Sequence, residues 1–300
     1  MTFDPGGRID PGRARAGGGG GGGRRGVAVG GGIGGLLLLL VGAYFGLDLT
    51  GVVGGGATGG QQAGSQEQAT DGSGAFARCT TGQAANEDVD CRVIATAESL
   101  DAVWSQLLPG EYAEPELVLF SGAVSTACGE ATSDVGPFYC PGDRTAYFDT
   151  GFFQELTDRF GSSGGPLAQE YVVAHEFGHA VQDQQGLLAA VQGDRAGADS
   201  AAVRSELQAD CFAGVWAHHA ASTPDPDTGA PLLQPLTRTD VADALSAAAS
   251  VGDDRIQEAA TGRSDPETYT HGTSEQRQQW FSTGYDGGDP AACDTSTASL

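Results

Sequence analysis

A short segment in the second half of the chain carries residue types that suit metal-dependent hydrolysis. Residues 175 to 179 read His-Glu-Phe-Gly-His, which fits the H-E-x-x-H pattern of two imidazoles that bind one zinc ion. Residues four apart lie on one face of an α-helix, so His175 and His179 can each direct a ring nitrogen at one Zn²⁺. Glu176 would lie beside the ion, where its carboxylate can accept a proton from water. The competing interpretation is two core histidines satisfied by hydrogen bonds.

The surrounding residues predict that this segment lies in a long, buried helix. Pro166 suits the first turn of a helix, and Gly186 suits its end. Between them, apolar residues recur at near-helical spacing: Leu167, Tyr171, Val172, Val173, Ala174, Phe177, Ala180 and Val181. Polar side chains in such a helix need partners, because burying them unpaired costs several kcal/mol each. A metal ion would be that partner.

A third metal ligand is expected from a later segment, since catalytic zinc usually has three protein ligands. Glu206 is the best candidate, in a second helical pattern that begins at Ser205 or earlier, near Ser200. Asp210 is four residues further on and shares the face of Glu206. We expect Asp210 to accept the free N–H of a ligating histidine. The alternative is a solvated acidic face on a surface helix.

Four blocks of sequence are similar to the bacterial family of neutral zinc metallopeptidases, relatives of the zincin proteases with a glutamate as third ligand. The blocks are Gly136–Pro141, Val173–Gln182, Glu206–Gly214 and Thr270–Arg277. The resemblance implies a zincin-like α+β domain, mostly helical with a small sheet. It also implies zinc binding by His175, His179 and Glu206, with Glu176 as the catalytic glutamate. It does not indicate a substrate.

The mechanism we expect is hydrolysis of a peptide bond in a peptide or protein substrate. Zinc lowers the pKa of its water, and Glu176 takes the proton and returns it to the leaving amine. The developing oxyanion needs a second stabiliser, for which His271 and Tyr285 are the candidates. His271 has an alternative role in holding the turn that precedes the last helix. In zincins an edge strand binds the substrate, and Thr145–Asp149 is the candidate for that strand.

Two other functions remain open at this point. One is a zinc hydrolase that acts on a non-peptide amide of the cell envelope. The other is a catalytically silent, envelope-tethered binding domain with structural zinc, which a fourth protein ligand would mark. The intact Glu176 argues against the silent domain.

An apolar, charge-free run at residues 27–47 predicts a transmembrane helix, because about 20 apolar residues cross a bilayer. Five arginines precede it, and the next basic residue is Arg78. The positive-inside rule then predicts a single-pass protein with a cytoplasmic N-terminus and an extracytoplasmic catalytic domain. A cleaved signal peptide is the competing interpretation.

Composition and charge divide the rest of the chain. Residues 1–26 are rich in Gly and Arg and are predicted to be a disordered tail, residues 48–75 a flexible linker, and residues 76–300 the catalytic domain. The net charge of −24 argues against nucleic acid as a partner.

Six cysteines follow the apolar run, and an even number suits disulfides in an oxidising compartment. The sequence does not determine their connectivity. We favour Cys79–Cys91 and Cys128–Cys140, because each pair closes a short loop, with Cys211–Cys293 as the third pair. The alternative for Cys211 is a free buried thiol.

Periodicity predicts further elements around the candidate site. Helices are expected at residues 89–108, 151–160, 236–249 and 274–283, with Ser274 capping the last, and strands at 116–125 and 144–149.

Overall fold

The computed structural model describes residues 2–17 and 72–300 of the chain. The predicted transmembrane segment, residues 27–47, and residues 48–71 of the predicted linker lie outside the described residues. Within these two ranges, no helix has both the length and the apolar character needed to cross a bilayer.

Helices are the main regular elements of the described chain. They are α1 (Gly72–Ala75), α2 (Gly82–Glu87), α3 (Val89–Leu107), α4 (Phe152–Asp158), α5 (Pro166–Gln184), α6 (Ala201–His219), α7 (Arg238–Ser250), α8 (Asp253–Thr261) and α9 (Ser274–Gly287). The α5 helix lies at the centre and packs against α3, α6 and α7. Trp104 of α3, Phe177 of α5 and Trp216 of α6 are fully buried in this shared core.

A small sheet lies beside the helices. Its strands, in spatial order, are β1 (Arg15–Ala16), β2 (Glu116–Phe120), β6 (Thr145–Asp149) and β5 (Phe138–Cys140), and a separate hairpin joins β3 (Ala123–Thr126) to β4 (Gly129–Thr132). The first three strands are parallel, whereas β5 runs antiparallel to β6. This arrangement confirms the α+β class, mostly helical with a small sheet.

The sheet order corrects the prediction for the substrate-binding edge. Thr145–Asp149 is flanked by β2 and β5 and is buried along its whole length, so it is an interior strand. The edge next to the site is β5, whose three residues carry no alternating pattern long enough to predict a strand. The predicted strand 116–125 also ends early, at Phe120, because the chain turns at Gly122, where φ is +84°.

The other predicted helices are present, with shifted ends. Ser200 caps α6 by accepting a hydrogen bond from the backbone of Val203, which agrees with the earlier of the two predicted starts. The last helix continues to Gly287, four residues beyond its predicted end. Its cap is Thr273, which forms a capping box with Gln276, and not Ser274 as predicted.

The N-terminal residues are folded, and the prediction of a disordered tail is wrong for residues 2–17. Phe3 and Ala14 are fully buried, and Ile9 is buried as well. The segment ends in β1, which pairs with β2 at the edge of the sheet. The sequence analysis did not predict this because the segment is rich in Gly and Arg, and its few apolar residues are too widely spaced to form a periodic pattern.

The three disulfides are the predicted ones. Cys79 is bonded to Cys91 and Cys128 to Cys140, and Cys211 is bonded to Cys293. The third bond ties the C-terminal segment to α6, the helix that carries Glu206, and the alternative of a free Cys211 is wrong.

Candidate metal centre

The predicted ligands converge because α5 and α6 pack closely. Gly178 faces α6, and a Cβ atom at this position would lie 3.0 Å from the carbonyl oxygen of Ala209. The absence of a side chain on Gly178 therefore lets the two helices approach at the level of the histidines. As a result, the imidazoles of α5 face the carboxylates of α6.

Three donor atoms form a compact group that suits one metal ion. Nε2 of His175 lies 3.1 Å from Oε2 of Glu206, and Nε2 of His179 lies 3.4 Å from Oε1 of the same carboxylate. Ligands held tetrahedrally by zinc at about 2.0–2.1 Å are about 3.3 Å apart, so both distances suit this ion. The three side chains are only 9–10% exposed, which leaves a narrow access to solvent.

The outer nitrogen of His175 is held by a charged network. Its Nδ1 lies 2.8 Å from Oδ1 of Asp210, as predicted for that carboxylate. Asp210 also accepts hydrogen bonds from Nε and Nη2 of Arg277, at 2.8 and 2.9 Å, and from the hydroxyl of Tyr171. Burial by itself would raise the pKa of Asp210, but Arg277 and His175 hold that pKa below its usual value.

The outer nitrogen of His179 is held by a neutral network. Its Nδ1 lies 2.8 Å from Oε1 of Gln182, which is fully buried. The amide nitrogen of Gln182 donates to the carbonyl of Ser205 at 2.7 Å and to Oε1 of Gln208 at 2.9 Å. Gln208 in turn donates to the carbonyl of Cys293. This chain of amides fixes the ring of His179 without adding charge.

These hydrogen-bond roles fit a cation among the three ligands. Because Gln182 presents its oxygen to Nδ1 of His179, that nitrogen carries the proton, and Nε2 presents a lone pair to Glu206. A lone pair opposite a carboxylate is repulsive unless a proton or a metal ion lies between them. Both nitrogens of His175 likewise face carboxylates. The set of two imidazoles and one carboxylate is one that zinc commonly takes.

The pKa values of the ligands also indicate that this group of side chains favours a positive charge between them. Burial by itself lowers the pKa of His175, but the carboxylates of Asp210 and Glu206 outweigh it and raise that pKa to about 10. Burial by itself raises the pKa of Glu206, but the neighbouring histidines hold it well below its usual value. In the metal-free protein, protons therefore compete for the position that suits a metal ion.

Glu176 lies beside this group and contributes no atom to it. The side chain is buried, and within the described part of the chain its Oε2 has no hydrogen-bond partner. Burial raises the pKa of this carboxyl group. The backbone N–H of Tyr139, in the edge strand β5, is close enough to the carboxylate to oppose this rise in its pKa. One oxygen of Glu176 is thus available to a reactant.

His271 lies in the same cavity as His175, Glu176 and Glu206. Its Nδ1 is 2.9 Å from the hydroxyl of Thr270 and 3.3 Å from Oδ1 of Asp253. Oδ2 of Asp253 accepts three backbone N–H groups, from residues 270, 271 and 272, at 2.6–3.0 Å. His271 therefore both belongs to a tightly held turn and faces the site, so its two predicted roles are compatible.

Tyr285, the other predicted stabiliser, is not in the site. It lies two turns beyond Arg277 on α9, where its ring stacks on Phe281 and lies against His218. The helical repeat moves it away from the cavity, and its proposed catalytic role is dropped.

The residues that support the ligands were largely missed by the sequence analysis. Gln182, Asp253 and Arg277 are at least 90% buried and contact a ligand or the cavity. Arg277 and Gln182 each end one of the blocks shared with the metallopeptidase family, and this position was the available signal. A second group of donors, Cys79, Asp88 and Cys91, is no metal site, because its two cysteines form a disulfide.

Comparison with known proteins agrees with this geometry. A family model described as "Putative neutral zinc metallopeptidase" matches residues 5–296. The uncharacterized protein Rv2575 of Mycobacterium tuberculosis is 59% identical over 223 residues, which cover 74% of this chain and 76% of the relative. The uncharacterized protein YpfJ of Escherichia coli is 39% identical over 265 residues, or 85% of this chain and 83% of the relative. No solved structure gives a significant match. The chain therefore belongs to the neutral zinc metallopeptidase family.

Proposed function

We propose that this protein is a zinc-dependent peptidase in which Glu176 is the general base. One observation carries the proposal. Donor atoms of His175, His179 and Glu206 converge beside a buried carboxylate oxygen of Glu176 that has no partner in the described part of the chain. A buried oxygen without a partner is unfavourable for folding, so its retention favours a role in the reaction.

The composition of the site supports catalysis over a structural role. Among the described residues, the group contains three ligands, the number typical of catalytic zinc, whereas structural zinc has four. Two of the three ligands, His175 and Glu206, also border a cavity and are not sealed in the core. These features argue against the silent binding domain.

Glu176 supplies the proton transfers in this mechanism. Zinc, when bound, would lower the pKa of a water molecule and polarise the substrate carbonyl. The buried Oε2 of Glu176, which has no partner in the described part of the chain, can accept a proton from the attacking water. Burial raises the pKa of Glu176, which makes its carboxylate a stronger base and suits it to pass the proton on to the leaving amine.

His271 is the proposed stabiliser of the oxyanion. Asp253 accepts a hydrogen bond from its Nδ1. Burial by itself lowers the pKa of His271, but the carboxylates of Glu206 and Asp253 outweigh it and raise that pKa. Both ring nitrogens carry a proton in the imidazolium form, so Nε2 can then donate to the substrate oxygen. Asp253 is a positioning residue in this scheme, since it holds both the ring and the backbone of the turn. Removing one oxyanion donor typically lowers kcat by about 10²–10³-fold.

The edge strand favours a peptide as the substrate. Strand β5 forms an edge of the sheet and packs against α5, and the backbone N–H of Tyr139 lies close enough to Glu176 to affect its pKa, so this edge lies beside the proposed base. An extended peptide that adds to this edge would bring a backbone carbonyl to the ligand group. The same geometry is not required by a non-peptide amide, and we therefore prefer the peptidase.

The test combines metal analysis with digestion of a peptide library by the full chain. We expect about one zinc per chain and hydrolysis that a chelator abolishes and zinc restores. Glu176→Gln should keep its zinc and lose about 10²–10⁴-fold in kcat. Glu258→Gln, at an exposed carboxylate on α8, is the control and should match the wild type. Full activity in Glu176→Gln, or hydrolysis of cell-wall fragments but of no peptide, would contradict the proposal.

A further inference from the structure

An apolar cavity adjoins the proposed base and the ligand group. It has a volume of about 110 Å³, and His175, Glu176 and His271 form its polar end. Glu206, Asp253, Gln257 and Arg277 also contribute to the lining. Most of the remaining wall is apolar and comes from the segment before β5, from α4 and the residues just after it, and from α5 and α8: Val135, Pro137, Phe152, Phe160, Val172 and Ile256. The cavity is therefore continuous with the reacting groups but chemically unlike them.

The size and lining of the cavity select one kind of occupant. A cavity of about 150 Å³ lined by apolar residues accepts benzene, so a slightly smaller one suits a branched aliphatic side chain. A charged side chain would lose its hydration there. The charged groups of the lining already have partners in the protein: Glu206 faces the two histidines, Asp253 accepts three backbone N–H groups, and Arg277 pairs with Asp210. An indole ring is too large for this volume.

We propose that this cavity binds an aliphatic side chain of the substrate, on the residue next to the scissile bond. The inference rests on the proposed peptidase activity and specifies its substrate class: peptides with Leu, Ile, Val or Met at that position. Ile256 is the specificity residue best suited to a test, because it lines the cavity, is only half-buried and is not one of the proposed metal ligands.

The experiment is digestion of a peptide library by the zinc-loaded full chain, with cleavage sites identified by mass spectrometry. We expect aliphatic residues to be preferred over charged residues by at least about tenfold in kcat/KM. Ile256→Asp should remove most of this preference while zinc content is unchanged. Ala259→Asp adds the same charge to an exposed position of α8 and should leave the preference intact.

A second variant covers the case in which Ile256→Asp does not fold. Phe152→Ala enlarges the cavity and should raise kcat/KM for aromatic side chains relative to leucine. Hydrolysis without an aliphatic preference, or the same preference in wild type and folded variants, would overturn the inference and leave the peptidase proposal standing. If zinc-loaded wild type hydrolyses no peptide, the proposed function falls and this inference falls with it.

An independent observation concerns the compartment of the N-terminal segment, residues 2–17. Its backbone bonds to distant parts of the domain: Asp4 donates to Leu232, and Ile9 donates to Thr80. Gly82 donates to Gly7, in a contact so close that a Cβ atom on Gly82 would lie 1.8 Å from the carbonyl oxygen of Asp4. The family match begins at residue 5, within this segment.

Arg13 connects the segment to the helix that carries the histidines. Its Nε is 2.7 Å from Asp101 in a largely buried ion pair, and its Nη2 donates to the carbonyl of Pro115. The guanidinium lies 5.8 Å from the ring centre of Phe177, which stands between His175 and His179 in the sequence. The segment is thus a structural part of the domain.

We infer that residues 2–17 and residues 72–300 occupy the same side of any membrane. A single crossing by residues 27–47 would place the two parts on opposite sides and would remove Phe3, Ile9 and Ala14 from the core. The predicted orientation, with a cytoplasmic N-terminus and an extracytoplasmic domain, is incompatible with this packing. Membrane contact by residues 27–47 stays a prediction.

Cysteine labelling in a bacterial host that expresses the full chain tests this inference. Arg8→Cys and Glu111→Cys place one thiol each at an exposed position of the segment and of the domain. A membrane-impermeant maleimide should label both variants in intact spheroplasts, or both only after permeabilisation. Labelling of one variant in intact spheroplasts and of the other only after permeabilisation would overturn the inference.

Gly82→Ala should lower the Tm by displacing the segment, whereas Gly74→Ala, with open space around it, should not.

Discussion

His175 and His179 are one helical turn apart on α5, yet their outer nitrogens are held by groups of different charge. On the charged side, Nδ1 of His175 faces Asp210, which in turn pairs with Arg277. These three residues come from three helices, α5, α6 and α9. On the neutral side, Nδ1 of His179 faces Gln182, and a chain of amides continues from Gln182 to the disulfide-linked C-terminal segment. Both arrangements orient a ring, but only the first changes its basicity.

The difference separates two requirements of a metal ligand. A ligand must present a fixed lone pair, and Gln182 achieves this for His179 without charge. A carboxylate partner makes the imidazole a stronger metal ligand, but it also raises the pKa of the imidazole, so that protons bind more tightly. Arg277 moderates that effect, because its charge opposes the protonation of His175. The charged side should therefore be the more sensitive of the two to substitution and to pH.

The largest expected effect is that of Asp210→Asn. The amide would turn a donor toward Arg277 and leave a buried guanidinium unpaired, so we expect a loss of about 3–5 kcal/mol in the free energy of unfolding. Zinc affinity should fall by about 10–100-fold. Denaturant unfolding and competition with a zinc chelator measure the two effects. In Asp210→Asn/Arg277→Met the stability should largely recover while zinc affinity stays low; an unchanged single variant would contradict the comparison.

A second substitution acts on the charged side through helix packing. In Gly284→Ala the new Cβ would lie 2.0 Å from the carbonyl of Cys211 and push α9, with Arg277, away from α6. We expect a loss of about 2–3 kcal/mol in the free energy of unfolding, as for other overpacked sites. Gly287→Ala on the same helix meets open space and should stay within about 0.5 kcal/mol of wild type. Equal stability of the two variants would show that the close contact is not needed.

Gln182→Leu tests the neutral side and should have a smaller effect. It removes the acceptor of His179 and leaves the carbonyl of Ser205 without its side-chain donor, for which we expect a loss of about 1–2 kcal/mol. Zinc affinity should fall by about tenfold, the lower end of the range for outer-shell partners. Gln185→Leu, at an exposed position, is the control. A loss as large as that of Asp210→Asn would break the proposed asymmetry.

The smallest effect is a difference in protons released on zinc binding. His175 has a pKa of about 10 in the metal-free protein, so at pH 8 it is protonated and must release that proton to bind zinc. Without the charge of Asp210, the pKa of His175 falls toward the usual value of about 6.5. Most molecules then carry a deprotonated His175 at pH 8, before zinc binds. Asp210→Asn should therefore release about one proton fewer than wild type. Calorimetry in buffers of different ionisation enthalpy measures this number, and equal release would contradict the charge assignment.

Helix α5 shows what local pattern can predict. Its apolar spacing, Pro166 at the start and Gly186 after the end determine a buried helix, and that helix determines that His175 and His179 share a face. The spacing of Glu206 and Asp210 on α6 determines their shared face in the same way. The disulfides of the two short loops also follow from sequence separation, because twelve residues bring their ends together readily.

Other features had no local signal. The edge strand β5 has three residues, and only pairing with β6 makes it a strand. Residues 2–17 look disordered by composition, and they fold because Phe3, Ile9 and Ala14 find a core built by distant helices. His271 and Tyr285 were both candidates in the sequence, but only His271 lines the cavity beside the ligands, whereas Tyr285 lies two turns beyond Arg277 on α9.

The sequence by itself determined the donor types, the helices that carry them and the family, because each depends on spacing along one segment. Tertiary structure alone decided which carboxylate pairs with which histidine, that Arg277 and Gln182 support them, and that the N-terminus belongs to the domain. The physical reason is that these contacts join residues far apart in the sequence, such as Tyr171 and Arg277, which are 106 positions apart. Their geometry depends on how closely whole helices pack, and glycines such as Gly178 and Gly284 set that distance only when a partner helix is present.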